Sequence, residues 1–469
     1  MIIPHIFKFH RIYLKQAGSC EKVKASSLHS IIILPVTLLR FIIYDTGHLG
    51  GRMLNRLHEV YPEIYGRHFD QNDMDRRFEE LKAKGEELFG AKEDFAIFSA
   101  AGRTEIAGNH TDHNLGKVIG GTINLDTIAY VQKRDDNRVI LHSEGFPVVD
   151  IDATDLEIRK EEENTTHSLL RGIARAFKDR GLAVGGWQAY STSRVLKGSG
   201  LSSSAAIEVL IAEIFNNLYN DDKLDPVELA KIGQFAENVY FGKPSGLLDQ
   251  ICCANGGVVG IDFKDQKNPV VTPITVDFEE NGYAMIITDT KGDHADLTPE
   301  YAAVPPEMRA VAGFFGKQNL REVDYEEFVE NIPAIREKIG NDRAITRAYH
   351  FFKENERVTM MLEELKENNI DTFLMLVDDS GNSSFKYLQN VFPAIDTRNQ
   401  GLSIALAMTE DVLQGEGAHR VHGGGFAGTI QAYVPEYLID KYIERMEHLF
   451  GEGCSTRIAI RQRPVSRIY

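Results

Sequence analysis

The segment Leu196-Lys-Gly-Ser-Gly-Leu-Ser-Ser-Ser-Ala-Ala206 most restricts how this chain can fold. Two glycines, three consecutive serines and two alanines run directly into a helical pattern. Its apolar positions (Ile207, Leu210, Ile211, Ile214, Phe215, Leu218) recur at spacings of three and four. Gly198 and Gly200 admit backbone angles that side chains forbid, so the chain can wrap closely around a ligand. The serines add hydroxyls and free N–H groups at the helix start, which favours an anion there, phosphate above all. Lys197 precedes the glycines, which excludes the Walker A order, and no third glycine follows three residues on, which excludes the dinucleotide fingerprint. A serine-capped helix after an ordinary loop is the plainer reading.

A chain of 469 residues favours two domains. With 43% apolar and 26% charged residues it has the composition of a soluble globular protein, so no membrane partner is expected. The net charge of −17 speaks against nucleic acid as a partner. Cys20, Cys252, Cys253 and Cys454 form no C-x-x-C pair, which points to neither a disulfide framework nor a zinc site and fits a reducing cytoplasm. Residues 1–52 differ from the rest: they are basic, and the apolar run from Ile31 to Tyr44 is broken by Pro35 and Arg40, short of the ~20 residues that span a bilayer. Gly50-Gly51-Arg52 fits the codons of a ribosome-binding sequence, so Met53 is the expected start and residues 1–52 an atypical extension. A membrane-surface anchor is the alternative.

Apolar runs separated by polar turns predict strands at Phe95–Ser99, Thr127–Gln132, Arg138–Ser143, Gly257–Phe263 and Tyr283–Asp289, and the pattern reads as helix at His167–Arg180 and Pro226–Tyr240. After Asp289 long charged helical patterns dominate, from Tyr325 to Asn368 and from Gly401 to Leu413 among others. Strands and helices do not alternate strictly, so the class is α+β. The expected division is 53–275 and 276–469.

Three more constellations carry chemistry. The stretch from Ala101 to Gly116 packs Arg103, Asn109, His110, Thr111, Asp112 and His113 between glycines, which suits a loop that binds a polyhydroxy ligand. A metal set of His110, Asp112 and His113 lacks further ligands at familiar spacing. Glu237 falls in a helical pattern, and Asp249, flanked by Leu247 and Leu248, either caps a helix or faces a cleft as base or charge partner. Gly423-Gly-Gly-Phe-Ala-Gly428 suggests backbone packed against a ligand or another loop.

In this order, Gly-Arg-x-x-x-x-Gly-x-His-Thr-Asp, Gly-x-Gly-Leu-Ser-Ser-Ser-Ala, Gly-x-x-Asp-Gln and Gly-Gly-Gly-Phe-x-Gly resemble the galactokinase branch of the galactokinase, homoserine, mevalonate and phosphomevalonate (GHMP) kinases, over roughly residues 90–465. The resemblance implies an N-terminal lobe like ribosomal protein S5 domain 2, a ferredoxin-like C-terminal lobe and an active site between them. It implies an ATP-dependent sugar 1-kinase acting on galactose, with ATP and Mg2+. Asp249 would take the proton of the anomeric hydroxyl and Arg103 would position it. Asn109, His110, Asp112, Gly246 and Tyr301 would hold the sugar. Gly198, Ser199, Gly200, Leu201, Ser202, Ser203 and Ser204 would hold the triphosphate, and Ser204 with Glu237 the metal.

The chain departs from the family pattern where Gly-Glu-His-Thr-Asp-Tyr becomes Gly-Asn-His-Thr-Asp-His. The resemblance places that glutamate against the sugar's 6-hydroxyl. A neutral Asn109 lifts a repulsion against a 6-carboxylate, so galacturonate is the alternative substrate, and His113 is compatible with it. His422 stands where the family has threonine. A catalytically silent sugar sensor is the remaining alternative, disfavoured because the Gly-Ser loop, Arg103 and Asp249 are all present.

Overall fold

The computed structural model describes residues 51–195, 200–292 and 297–469. The chain divides into two units, residues 1–56 and 57–469. Of the first, residues 51–56 are described, and they are helical. The reading of residues 1–52 as an extension therefore lies outside the described residues, apart from Gly51 and Arg52. Everything below concerns the second unit.

Helix α1 (Gln71–Phe89) begins where the Asp70 carboxylate accepts from the N–H groups of Asn72 and Asp73 and ends at Gly90. Strands β1 (Ala96–Ala107), β2 (Lys117–Lys133), β3 (Arg138–Ser143) and β4 (Val149–Asp152) follow. Next come α2 (Thr166–Asp179), β5 (Trp187–Ser193), α3 (Ser203–Asn220), α4 (Pro226–Phe235), α5 (Leu248–Asn255), β6 (Val258–Asp262) and β7 (Val270–Ile274). The remainder holds β8 (Tyr283–Asp289), α6 (Thr298–Phe314), α7 (Tyr325–Glu330), α8 (Ile332–Ile339), α9 (Asp342–Lys366), α10 (Ile370–Ser383) and α11 (Gly401–Leu413). It closes with β9 (Ala418–Val421), β10 (Thr429–Pro435), α12 (Ile439–Phe450), β11 (Ser455–Ile458) and β12 (Ser466–Arg467).

One sheet has the order β12-β1-β2-β5-β3-β4, with β6 and β7 branching from β2. The branch is possible because β2 is long: residues 127–133 pair with β5, and residues 117–121 pair with β6. Only β3 and β5 run parallel. The second sheet, β11-β8-β10-β9, is antiparallel throughout. A single core cluster joins Ile106, Phe177, Trp187 and Phe215 to Met285, Ile287 and Tyr433 of the second sheet. Trp187 sits edge-on to Phe215 at 5.7 Å between ring centroids, a packing role. Among the described residues no helix is long and apolar enough to cross a membrane.

The α+β class stands, but several elements differ from expectation. The strand expected to stop at Ser99 continues to Ala107, so the Ala101–Gly116 stretch is strand first and turn only from Gly108. Its polar residues are buried and serve the interior, which removes the alternation that marks a strand. The helix from Pro226 becomes a π-turn at Ala236–Phe241. The pattern from Tyr325 to Asn368 is three helices, because Asn331 and Pro333 begin a new one and Gly340 ends it in the left-handed region.

Candidate active site

The pairing of β1 with β2 is irregular between Ala101 and Arg103 and again between Glu105 and Ala107. Such bulges re-aim side chains. Between them Arg103 and Glu105 lie two residues apart on one face, while Thr104 turns to the other, where it meets His422 and Gln431.

Arg103 reaches Asp249 in the first turn of α5, with Nε donating to Oδ1 at 2.8 Å and Nη2 paired with the same oxygen at 2.7 Å. The Ser202 hydroxyl donates to Oδ2 at 2.6 Å, and Arg103 Nη1 donates to the Gly200 carbonyl. Asp249 therefore does not cap its helix; its carboxylate is spent on Arg103 and Ser202. Burial raises its pKa, but the Arg103 charge and the hydrogen bonds from Ser202 and Arg103 outweigh it and hold the carboxyl below its ordinary value. Arg103 is pushed the other way: burial opposes its charge, and Asp249 and Glu105 more than restore it.

The Gly-Ser loop lies against this pair. Gly200 and Ser202 have φ of +71° and +60°, the left-handed region. A Cβ at Gly102 would lie 2.7 Å from the Leu201 carbonyl, which is why the strand carries glycine there. Helix α3 starts at Ser203 with no side-chain cap, so its first N–H groups are available, and Ser204 is exposed. This end of α3 suits an anionic ligand. Gly198 and Ser199 lie outside the described residues.

Beside the pair is a cavity of about 300 Å³. Asn109, His110, Asp112, Gly246 and Tyr301, all expected at a sugar, line it together with the expected catalytic pair Arg103 and Asp249. The other wall is Gly423 and Gly424, where a Cβ on Gly424 would meet the Tyr301 ring at 2.5 Å. Tyr301 donates to the Gly425 carbonyl at 2.7 Å, and His110 Nε2 lies 3.0 Å from the Gly424 carbonyl. The triple glycine, expected against a ligand or another loop, packs on Tyr301 of α6 and on His110 of the turn after β1. The Asn109 amide is fully engaged by protein: Nδ2 donates to Glu105 and the Gly423 carbonyl, and Oδ1 accepts from Asn390 at 2.7 Å. Burial raises the Asp112 pKa, opposed by His110.

Glu237 is almost fully buried, and Lys243 Nζ approaches it to 2.7 Å. Ser245 and Gln250 also donate to it. A buried carboxylate that has drawn an exposed ammonium fits a divalent cation, which a lysine on a flexible stem can make way for. Gln250 also donates to Glu208 at 2.9 Å, and Glu208 lies one turn along α3 from Ser204, which ties the two expected metal residues to one neighbourhood. Burial and the Glu237 charge push Glu208 well above the ordinary carboxylate range. Among the described residues, His110, Asp112 and His113 do not converge as metal ligands; the one group that does is His68, Glu279 and Glu436, away from this cavity.

Ser202, expected only at the triphosphate, is also bonded to Asp249. Glu105 on the cavity wall and the Gln250 amide shared by Glu208 and Glu237 were not expected from the sequence. The spacing of Arg103 and Glu105 on one strand face was the available signal for Glu105.

Residues 86–133 match the family model described as the galactokinase galactose-binding signature, and residues 168–257 match the GHMP kinases N terminal domain. The chain is 31% identical over 382 residues to a galactokinase of Glaesserella parasuis, covering 80% of this chain and 94% of that protein. It is 32% identical over 368 residues to a galactokinase of Actinobacillus pleuropneumoniae, covering 77% and 90%. The crystal structure of Lactococcus lactis galactokinase complexed with galactose has a similar fold, with a TM-score of 0.70, 24% identity and coverage of 83% of this chain and 100% of that one. A mevalonate kinase of Methanococcus jannaschii aligns with a TM-score of 0.57 at 15% identity, over 79% and 99% of the two chains.

Proposed function

The chain belongs to the galactokinase family, and from that premise we propose that it transfers the γ-phosphoryl group of ATP to the anomeric hydroxyl of galactose. The observation that carries this reading is the junction at Asp249: one carboxylate bridges the arginine at the cavity wall and the serine at the head of α3. A sugar in the cavity and a triphosphate on the α3 N-terminus would meet there.

In this reading Asp249 accepts a hydrogen bond from the sugar's O1–H and takes its proton as the O1–P bond forms and the bond to the β,γ-bridging oxygen breaks. Because Arg103 and Ser202 keep it ionised and weakly basic, it orients the hydroxyl first and receives the proton late. Arg103 also sets positive charge beside the transferring group. Gly198 to Ser204 cradle the phosphates, with support from the uncapped start of α3. His110, Asp112, Gly246 and Tyr301 hold the sugar, and Asn109 acts through the residues it fixes. Ser204 and Glu237 would hold Mg2+, which when bound would supply positive charge to the triphosphate. The proposed lobe division at 275/276 falls between β7 of the first sheet, which ends at Ile274, and β8 of the second, which begins at Tyr283, with β12 returning to the first sheet at the C-terminus. Buried free thiols at Cys252, Cys253 and Cys454 support a cytoplasmic location.

The test is ATP turnover with galactose, galactosamine, arabinose and glucose. Galactose is expected to give the highest kcat/KM; turnover with none of them removes the reading.

A further inference from the structure

Glu105 has no task in the roles above, yet it lines the cavity on the same face of β1 as Arg103. Its Oε1 accepts from Asn109 Nδ2 at 2.7 Å and from Arg420 Nη2 at 3.4 Å. Among the described residues its Oε2 has no protein partner. Arg420 is wholly buried and braced on the Ile106 and Val421 carbonyls, so Oε1 is tied back to a fixed cation. Asn109, whose neutral side chain had suggested a pocket short of negative charge, holds the carboxylate in place. The charge absent at position 109 is thus present one turn of contacts away, at Glu105.

We propose that Glu105 is a specificity-determining residue that restricts the cavity to neutral sugars, its free carboxylate oxygen accepting a sugar hydroxyl and opposing any sugar acid. This rests on the reading that the cavity holds the sugar. Oε2 has no proton to give in the charged form, so it rewards a hydroxyl donor and is left unpaired when the donor is missing. A substrate carboxylate would sit among Glu105, Asp112 and Asp249, with Arg103 the one arginine or lysine among the described lining residues. Two carboxylates about 5 Å apart at an effective dielectric near 20 repel enough to cost roughly two orders of magnitude in binding. Burial raises the Glu105 pKa above its ordinary value, and Arg420, Arg103 and the Asn109 amide offset part of that rise.

The experiment measures kcat and KM for galactose and galacturonate in the parent protein, in Glu105→Gln, and in the exchange Glu105→Asn with Asn109→Glu. The parent is expected to favour galactose by about a hundredfold or more in kcat/KM. Glu105→Gln is expected to shrink that ratio at least tenfold, with KM for galactose moving more than kcat. The exchange, which returns one carboxylate and one amide to the same wall, is expected to keep the ratio within about threefold of the parent, and it carries the test should the single variant not fold. An unchanged ratio in folded Glu105→Gln, a collapsed ratio in the folded exchange, or a parent that prefers galacturonate overturns the inference. A parent that phosphorylates galactose while Glu105→Gln keeps its ratio fails this inference alone; a parent that phosphorylates no hexose fails the functional reading beneath it.

Discussion

Arg103 and Asp249, 146 positions apart, are joined by two nitrogens on a single carboxylate oxygen, leaving the other oxygen to Ser202. A carboxylate so held keeps its charge and its direction, and gives up basicity for both.

Replacing Asp249 by Asn removes the proton acceptor but preserves much of the shape. Turnover is expected to fall by a factor on the order of 10²–10⁴ while KM for galactose changes little. Steady-state kinetics with ATP in excess checks it, and near-normal turnover would take Asp249 out of the chemistry.

Arg103→Lys keeps a positive charge but cannot reproduce the contacts to both Asp249 and the Gly200 carbonyl. A drop in kcat on the order of 10² is expected. Weaker stabilisation of the Asp249 anion raises that group's pKa, so the acid limb of the kcat profile should move to higher pH. An unmoved limb would mean that Arg103 does not set the ionisation of Asp249.

Glu237→Gln leaves the Gln250 and Ser245 contacts a polar partner but deletes the charge. The magnesium concentration for half-maximal rate should rise roughly tenfold or more, measured by titrating Mg2+ at fixed ATP. An unchanged requirement would remove Glu237 from the metal site.

His350 is buried between the Asn109 carbonyl and the Ser383 hydroxyl, each 2.9 Å away. Burial pushes its pKa down to about 4 from an ordinary 6.5. The folded state therefore binds fewer protons than the unfolded chain between these values. Its contribution is complete above pH 6.5 and is lost as pH falls towards 4, by roughly 3 kcal/mol in all. Urea unfolding from pH 7 to 4.5 should show this slope, and His350→Gln should flatten it.

Gly424→Ala would set a methyl group 2.5 Å from a carbon of the Tyr301 ring. The ring must shift, so KM for galactose is expected to rise about tenfold with a smaller change in kcat. Equal KM values would show that Tyr301 does not shape the sugar site.

The boundaries of β3, β8 and α11 were legible because each is a compact run with abrupt polar or glycine-bearing flanks. The Gly-Ser turn, the triple glycine and the cavity residues could also be found from their order along the chain. The continuation of β1 past Ser99 was hidden because Arg103, Thr104 and Glu105 are buried polar residues that look like a loop. The first half of β2 was hidden by Gly120 and Gly121, and a Cβ on Gly120 would lie 2.3 Å from the Cys252 sulfur. Which way Asn109 turns was not legible, because its partners Gly423 and Asn390 arrive from more than 280 residues away.

The two irregularities that bracket Arg103, Thr104 and Glu105 make this short piece of β1 sensitive to length in a way its composition does not reveal. Inserting or deleting a single residue there would swap inner and outer neighbours, handing the cavity to Thr104 and turning both charged groups toward His422 and Gln431. Variation in this segment is therefore expected as substitution, and hardly ever as a gap.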